Sequence, residues 1–179
     1  MKKLFSHLLL SFLLIIFISH LSAAKIHAED LNPVPTPVDP KSIPKDTRSW
    51  TKFKYKEIIE KTSQKYNLDP QLIYATIMTE SEGNEKAYRY EPRLKEASLG
   101  LGQLLVSTAK RIGLQGDPNQ MYEPAISIDL IGKYYRQFLD NDKNLSPQEL
   151  TQAYNTGSLK KHSHQKHLSR FNKWYYEEG

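Results

Sequence analysis

The sequence from Trp50 to the C-terminus predicts a compact all-α domain. Apolar residues recur at helical spacing, as Ile73 and Ile77 do, and no segment shows a convincing strand alternation. Helix start signals support the assignment, because Asp69 followed by Pro70 is typical of an N-cap and a first helical turn. These observations favour one helical core and give no indication of a sheet.

The predicted helices follow one another with a stop signal after most of them. The segment "SPQELTQAYNTG" opens with a capping box formed by Ser146 and Glu149, and Gly157 closes it. We find no internal repeat. The predicted helical segments, in chain order, are "KFKYKEIIEKTSQKYN", "DPQLIYATIMTESEG" ending at Gly83, "STAKRIG" ending at Gly113, "EPAISIDLIGKYYRQFL", "SPQELTQAYNTG" and "HLSRFNKWYYEE".

The N-terminal segment is predicted to direct export. A positive "MKK" precedes the apolar run "LLLSFLLIIFIS", and small residues follow, so residues 1–24 fit a signal peptide cleaved after Ala24 or, as a second choice, after Ala28. An uncleaved N-terminal membrane anchor is the alternative. In either case we expect the domain in the periplasm or cell envelope of a bacterium.

A proline-rich linker is predicted between the signal peptide and the domain, over residues 25–49. The stretch "EDLNPVPTPVDPKSIPKDTR" holds five of the ten prolines and few residues that could form a core. The predicted organisation is therefore signal peptide, linker over 25–49 and one domain over 50–179, which suits a chain of 179 residues.

Composition excludes several classes of function. The chain has no cysteine, which removes disulfides, thiol nucleophiles and cysteine metal ligands. The net charge of +5 is a mild excess, and part of it belongs to Lys2 and Lys3 of the signal segment. No zinc-ligand spacing, basic helix or aromatic sheet motif suggests nucleic acid binding. We expect no nucleic acid partner, no metal and no cofactor.

A carboxylic acid stands where the apolar run "IYATIMTES" ends. At helical spacing Ile73, Ile77 and Glu80 fall on one face. Partial desolvation favours the neutral form of a carboxyl, and a carboxyl held protonated near neutral pH can donate its proton to a leaving group. The residue alone also fits an exposed glutamate at a frayed helix end, so the spacing leaves both interpretations open.

The segment "SLGLGQLL", residues 98–105, suits a binding turn. Gly100 and Gly102 allow the backbone to approach a ligand closely, and Gln103 offers both a donor and an acceptor. An ordinary tight turn explains the same residues. The segment lacks the GK[ST] of a phosphate-binding loop.

The segment "AYNTG", residues 153–157, ends a capped helix with Tyr154, Asn155 and the stop Gly157. Taken alone it is compatible with core packing by the tyrosine and common turn chemistry by the asparagine.

Taken together and in this order, the three segments resemble the signature of the soluble lytic transglycosylase (SLT) domain family, which has a goose-lysozyme-like helical fold with a glycan cleft. The resemblance covers about residues 52–158. It implies that Glu80 is the catalytic acid/base and that peptidoglycan glycan strands are the substrate. It also implies a set of substrate-binding residues, namely Ser81, Ser98, Gly100, Leu101, Gln103, Tyr154 and Asn155.

Gly102 is one of the departures from the family pattern, and the segment before the glycine turn offers a further candidate surface. Gly102 stands where the family usually carries Met, which predicts a missing apolar contact in the cleft. The aromatic "AYRYEP", residues 87–92, is a candidate surface for stacking on sugars.

The implied activity is cleavage of the β-1,4 bond between N-acetylmuramic acid and N-acetylglucosamine to leave 1,6-anhydro ends. A single convincing carboxyl fits this activity better than hydrolysis, which normally uses two. The other carboxylates near Glu80 have no clear claim from spacing; they are Glu82, Glu85, Glu91 and Glu96. Two alternatives stay open: a goose-type lysozyme-like hydrolase and a non-catalytic peptidoglycan-binding assembly protein.

The setting of the domain is predicted only in outline. We expect a monomer, and the short exported form favours local wall opening for a secretion or conjugation complex over general wall turnover. The histidines of "HSHQKH", His162, His164 and His167, are predicted to form a solvated basic loop rather than a metal site, because no carboxylate or cysteine accompanies them.

Overall fold

The computed structural model describes Lys52 and residues 54–177. The predicted signal peptide, 1–24, and the predicted linker, 25–49, lie outside the described residues. Six α-helices form this part of the chain: α1 Lys56–Tyr66, α2 Pro70–Ser81, α3 Val106–Arg111, α4 Pro124–Asn141, α5 Pro147–Thr156 and α6 Gln165–Asn172. A 3-10 helix, Pro118–Tyr122, precedes α4, and a π-helical turn, Lys173–Glu177, follows α6. Within the described part, no helix combines the length and hydropathy of a membrane span.

The helix boundaries follow the capping signals of the sequence. The Asp69 side chain accepts a hydrogen bond from the backbone N–H of Gln71 at 2.9 Å, with Pro70 at the first position of α2. Both hydrogen bonds of the predicted capping box at Ser146 and Glu149 are present at the start of α5. The helices that frame the candidate site therefore begin where local chemistry places them.

Helix α2 ends at Ser81, two residues before the predicted stop at Gly83. Glu82 adopts a left-handed conformation with φ of 54°, and Gly83 follows with φ of 80°. Two consecutive residues with positive φ turn the chain sharply away from the helix axis. As a result, Glu80 occupies the last turn of α2.

Helix α2 is the central helix of the domain. Every residue from Leu72 to Thr79 is buried, so the helix is covered on all sides rather than along one stripe. It packs against α1, α4, α6 and the π-helical turn. The sequence predicted one apolar face ending in Glu80; instead, all faces of the helix from Leu72 to Thr79 lie in the core, and Glu80 is the next residue, only partly buried.

A small antiparallel sheet adds to the predicted helical class, which is otherwise confirmed. Its strands are β1 Tyr88–Glu91, β2 Glu96–Leu99 and β3 Leu104–Leu105, in the order β1-β2-β3. Tyr90 pairs with Ala97, and Leu99 pairs with both Tyr88 and Leu104. Sequence patterns missed the sheet because its strands are very short and because Ala97, Ser98 and Leu99 are all buried, which removes the alternation of a half-exposed strand.

Gly100 begins the turn that joins β2 to β3, and no other residue fits there. Its φ is +68°, and its N–H donates to the Ala87 carbonyl at 2.8 Å. A Cβ at this position would lie 2.0 Å from the carbonyl oxygen of Met121. The turn therefore packs directly against the backbone segment that precedes α4.

We expect Gly100→Ala to be strongly destabilising, and Gly116→Ala provides the matched control. Gly116 also has positive φ, +79°, but the nearest atom to an added Cβ is Gln120 Nε2 at 3.7 Å. The left-handed conformation alone costs an alanine about 1–2 kcal/mol. Gly100→Ala should cost roughly 1–3 kcal/mol more, because the Met121 backbone must move. Urea unfolding measures both; equal losses for the two variants would contradict the predicted clash.

Candidate active site

Glu80 reaches from the last turn of α2 into a cavity of about 460 Å³. Its side chain is 15% exposed, so the carboxyl is mostly surrounded by protein yet open to the cavity. Residues of the sheet and of helices α3, α4 and α5 line the cavity together with Glu80. A carboxyl in this position can exchange a proton with a molecule bound in the cavity.

Five of the eight residues predicted for the site line this cavity: Glu80, Ser98, Gln103, Tyr154 and Asn155. Gly100 and Leu101 belong to the turn behind it, and Leu101 is fully buried. Ser81 is likewise not part of the cavity wall. The predicted residues thus lie together, in one layer that faces the cavity and one that supports it.

Ser81 fastens the end of α2 to the turn. Its hydroxyl lies 2.9 Å from the carbonyl oxygen of Leu101 and 3.1 Å from that of Ile77. A hydroxyl has one proton, so it donates to one of these carbonyls at a time. The sequence resemblance implied contact with substrate, whereas the hydroxyl contacts the backbone of its own domain.

Gln103 closes the turn with its side-chain amide. Its Nε2 donates to the carbonyls of Ala87 and Gly100, each at 3.1 Å, and its Oε1 accepts from the Ser98 hydroxyl at 3.1 Å. The backbone of Gln103 has φ of 45°, an uncommon conformation for a residue with a side chain. These three bonds hold that conformation, so Gln103 shapes the cavity wall with polar groups that are already paired.

Tyr154 supports the same turn from α5. Its hydroxyl donates to the Gly102 carbonyl at 2.7 Å, and its ring packs against the rings of Tyr134 and Tyr135. Burial raises the pKa of Tyr154 well above its usual value, and the negative charge of Glu80 raises it further. The hydroxyl therefore stays protonated and donates its proton to the Gly102 carbonyl rather than to Glu80.

Gly102 lies against the core rather than the cavity. A Cβ at this position would be 2.7 Å from both Ile131 Cγ1 and the Tyr154 hydroxyl. The sequence predicted the loss of an apolar contact in the cleft at this position. The structure shows a different consequence, which is that glycine leaves room for the hydrogen bond from Tyr154.

Asn155 differs from the other predicted polar residues because its side-chain amide has no hydrogen-bond partner among the described residues. The residue is exposed and lines the cavity, and no described residue hydrogen-bonds to its side chain. A side-chain amide offers two donors and an acceptor. Asn155 is therefore available to bind polar groups of a molecule in the cavity.

The cavity wall also carries charged residues, of which only Glu91 was considered from the sequence, as a carboxylate without a clear claim from spacing. Arg89 and Glu91 of β1 line the cavity and form a salt bridge with each other, and Arg111 of α3 lies over the ring of Tyr134 at 5.8 Å. The aromatic residues of "AYRYEP" had drawn attention instead. Because side chains alternate along a strand, Arg89 and Glu91 both lie on the cavity side of β1. Recognising β1 as a strand in the sequence would have placed these two residues on one face.

His167 was also missed, and its predicted place in a solvated loop was wrong. It belongs to α6, its side chain is 14% exposed, and its Nε2 lies 2.8 Å from Glu80 Oε1. Its spacing from the buried Phe171 and Trp174, at i+4 and i+7, could have placed it on the inner face of a helix. His162 and His164 are exposed, and His164 caps the N-terminus of α6.

No cluster of three or more His, Asp or Glu side chains among the described residues is arranged to hold a metal ion. The histidine segment is divided between the loop and α6, so its side chains point to different partners: His162 to Gln152, at 3.1 Å, and His167 to Glu80.

We predict that Tyr154→Phe destabilises the domain by about 1–3 kcal/mol, because it removes the donor to the buried Gly102 carbonyl. Tyr122→Phe is the matched control, since the Tyr122 hydroxyl is buried without a hydrogen-bond partner among the described residues. Its removal should leave the free energy of unfolding unchanged or raise it. Urea unfolding compares the two variants. A Tyr154→Phe variant as stable as the wild type would contradict a stabilising role for the hydrogen bond from Tyr154 to Gly102.

Comparison with known proteins identifies the family of the chain. Residues 57–177 match the family described as "Transglycosylase SLT domain". Curated relatives include membrane-bound lytic murein transglycosylase C from Haemophilus influenzae strains PittGG, ATCC 51907 / DSM 11121 / KW20 / Rd and 86-028NP. Each is 32% identical over 118 residues, which is 59% of this chain and 32% of the relative, so the chain matches about a third of their length.

The family match spans every helix that contributes to the cavity and includes both Glu80 and the α6 helix behind it. This chain is a member of the transglycosylase SLT domain family.

Proposed function

We propose that the chain is a peptidoglycan lytic transglycosylase that cleaves the β-1,4 bond between N-acetylmuramic acid and N-acetylglucosamine and leaves 1,6-anhydro ends. The observation that carries the proposal is the position of Glu80, a largely enclosed carboxyl at the edge of a cavity in an SLT domain. The printed name of the relatives, lytic murein transglycosylase, supports the same reaction.

The reaction proceeds in two proton transfers at one carboxyl. Protonated Glu80 gives its proton to the bridging oxygen as the bond from that oxygen to the muramyl anomeric carbon breaks. The Glu80 carboxylate then takes the proton of the muramyl C6 hydroxyl, whose oxygen bonds to the anomeric carbon. No water is consumed, and Glu80 returns to its protonated state.

The acetamido group of the muramyl sugar can stabilise positive charge at the anomeric carbon, as in substrate-assisted glycosidases. Among the predicted binding residues, Asn155 is the one whose side chain has no hydrogen-bond partner among the described residues, and we assign it to hold the glycan. The hydrogen bonds of Ser98, Gln103 and Tyr154 stabilise the cavity wall. Ser81, Gly100 and Leu101 act behind the wall by fixing the turn.

The hydrolase alternative needs a second carboxyl, and Glu91 is the candidate because it lines the same cavity. The other nearby carboxylates are occupied elsewhere or exposed. Glu85 binds Lys54 at 2.7 Å and Tyr55 at 2.8 Å; burial acts to raise its pKa, but these bonds together lower it. Glu96 accepts hydrogen bonds from Ser107 at the start of α3.

The cellular setting belongs to the same proposal. We place the domain, residues 50–179, outside the cytoplasm in the bacterial cell envelope, exported by residues 1–24 and tethered through residues 25–49. The word membrane-bound in the relatives' name supports an envelope location. Peptidoglycan is the expected partner, the expected state is a monomer, and a secretion or conjugation complex is the assembly in which local wall opening would be used.

Glu80→Gln should lower the rate at which anhydro-muramyl ends are formed by at least about 10²- to 10⁴-fold, because an amide cannot donate the proton. Mass spectrometry of digested peptidoglycan identifies anhydro-muramyl ends and follows their release. Glu82→Gln is the matched control: it lies two residues on, its side chain is 69% exposed, and it should keep wild-type turnover. Reducing ends alone would favour the hydrolase, and wall binding without any cleavage would favour a non-catalytic protein.

Glu91→Gln separates the two enzymatic mechanisms. In a transglycosylase, Glu91 does not take part in proton transfer, so the variant should release anhydro ends at a rate within a few-fold of the wild type. A hydrolase that uses Glu91 as base or nucleophile would lose roughly 10²-fold or more. Such a loss, accompanied by reducing ends in the wild-type digest, would overturn the transglycosylase mechanism.

A further inference from the structure

Glu80 has one hydrogen-bonding side chain as its neighbour within the described residues, and it is His167. The Nε2–Oε1 distance of 2.8 Å joins the last turn of α2 to α6 across 87 positions of sequence. Both side chains are mostly buried, at 15% exposed for Glu80 and 14% for His167. Water competes weakly for a hydrogen bond in such a place, so the contact restricts the orientation of the carboxyl.

The other polar side chains around Glu80 are committed to different partners. The Tyr154 hydroxyl donates to the Gly102 carbonyl at 2.7 Å. The Tyr135 hydroxyl lies 2.6 Å from Thr76 Oγ1, which itself donates to the Leu72 carbonyl, so Tyr135 supplies the proton of that contact. Neither tyrosine is free to orient Glu80.

The surroundings of His167 indicate which nitrogen carries the proton. Nδ1 is buried and has no hydrogen-bond partner among the described residues. A proton on Nδ1 would be a buried donor without an acceptor, which is more costly than a bare nitrogen lone pair. The arrangement therefore favours a proton on Nε2, where the Glu80 oxygen accepts it.

The position of His167 is fixed by the packing of α6 and the turn after it. Phe171 is fully buried, the Trp174 carbonyl accepts from Gln71 Nε2 at 2.7 Å, and the Tyr175 hydroxyl donates to Asp69 at 2.6 Å. Both of these last bonds reach the first turn of α2. The helix that carries His167 is thus fastened to the helix that carries Glu80.

We propose that His167 is a positioning residue for Glu80: it donates from Nε2 to Oε1 and so directs the other oxygen, Oε2, toward the glycan. In the first step, Oε2 carries the proton that passes to the bridging oxygen. In the second step, the carboxylate accepts the C6 hydroxyl proton on Oε2, while the bond from Nε2 to Oε1 stabilises its negative charge. His167 keeps its own proton throughout, so it binds the reacting group but exchanges nothing with the substrate.

The proposal rests on the proposed function, and its test separates the two. Three variants are compared with the wild type on a soluble glycan oligosaccharide: His167→Leu removes the donor, His167→Gln keeps an N–H donor, and His162→Leu changes an exposed histidine. His167→Leu should lower kcat by roughly 10- to 100-fold with KM little changed, because a misplaced carboxyl affects the chemical step. His167→Gln should recover most of the lost rate, and His162→Leu should match the wild type. Thermal unfolding identifies any variant that has lost its fold.

A second measurement does not require activity. The nitrogen NMR spectrum of the wild-type protein at neutral pH should show the His167 ring protonated on Nε2 and bare on Nδ1. The opposite tautomer would overturn the proposal, as would a folded His167→Leu variant with wild-type kcat, or a folded His167→Gln variant as slow as His167→Leu. If the wild type cleaves no glycan, the proposed function fails and the positioning role of His167 in the reaction fails with it, while the spectrum still decides whether Nε2 carries the proton that the contact with Glu80 requires.

Discussion

The two central residues of the turn from Gly100 to Gln103 form hydrogen bonds with side chains of three helices, and the site depends on that turn. The Leu101 carbonyl accepts from Ser81 of α2, and the Gly102 carbonyl accepts from Tyr154 of α5. The Gly102 N–H donates to Ser127 Oγ of α4 at 3.3 Å. Because a buried backbone group without a partner is costly, three helices are held to one short segment, and their mutual positions determine the width of the cavity.

The central position of α2 explains why a carboxyl can be used where the helix ends. A helix buried on every side needs apolar residues in most positions, and the residues from Leu72 to Thr79 meet that need. The chain then turns at Glu82, so Glu80 lies at the boundary between the core and the cavity. Its carboxyl is thereby mostly removed from water but remains open to the cavity, an environment that suits a general acid.

Local chemistry made much of the fold and part of the site predictable. The N-cap at Asp69, the capping box at Ser146 and the stop at Gly157 depend on neighbouring residues, and the sequence identified all three. The contact between Glu80 and His167 depends instead on how two distant helices pack, which no local spacing encodes. The sheet was missed for a related reason, since burial of β2 on both sides depends on tertiary packing and erases its local pattern.

The family resemblance located the candidate site, but it could not distinguish residues that support the cavity wall from residues that are free to bind a ligand. Ser81, Gln103 and Tyr154 all direct their polar atoms to backbone carbonyls. A donor that already has an acceptor must break that bond to donate to a ligand, whereas the Asn155 amide has no such cost. Family motifs of this kind therefore specify the shape of a cavity, and the choice of ligand rests more with unpaired or charged groups on its wall, among them Arg89 and Arg111, which the motif does not contain.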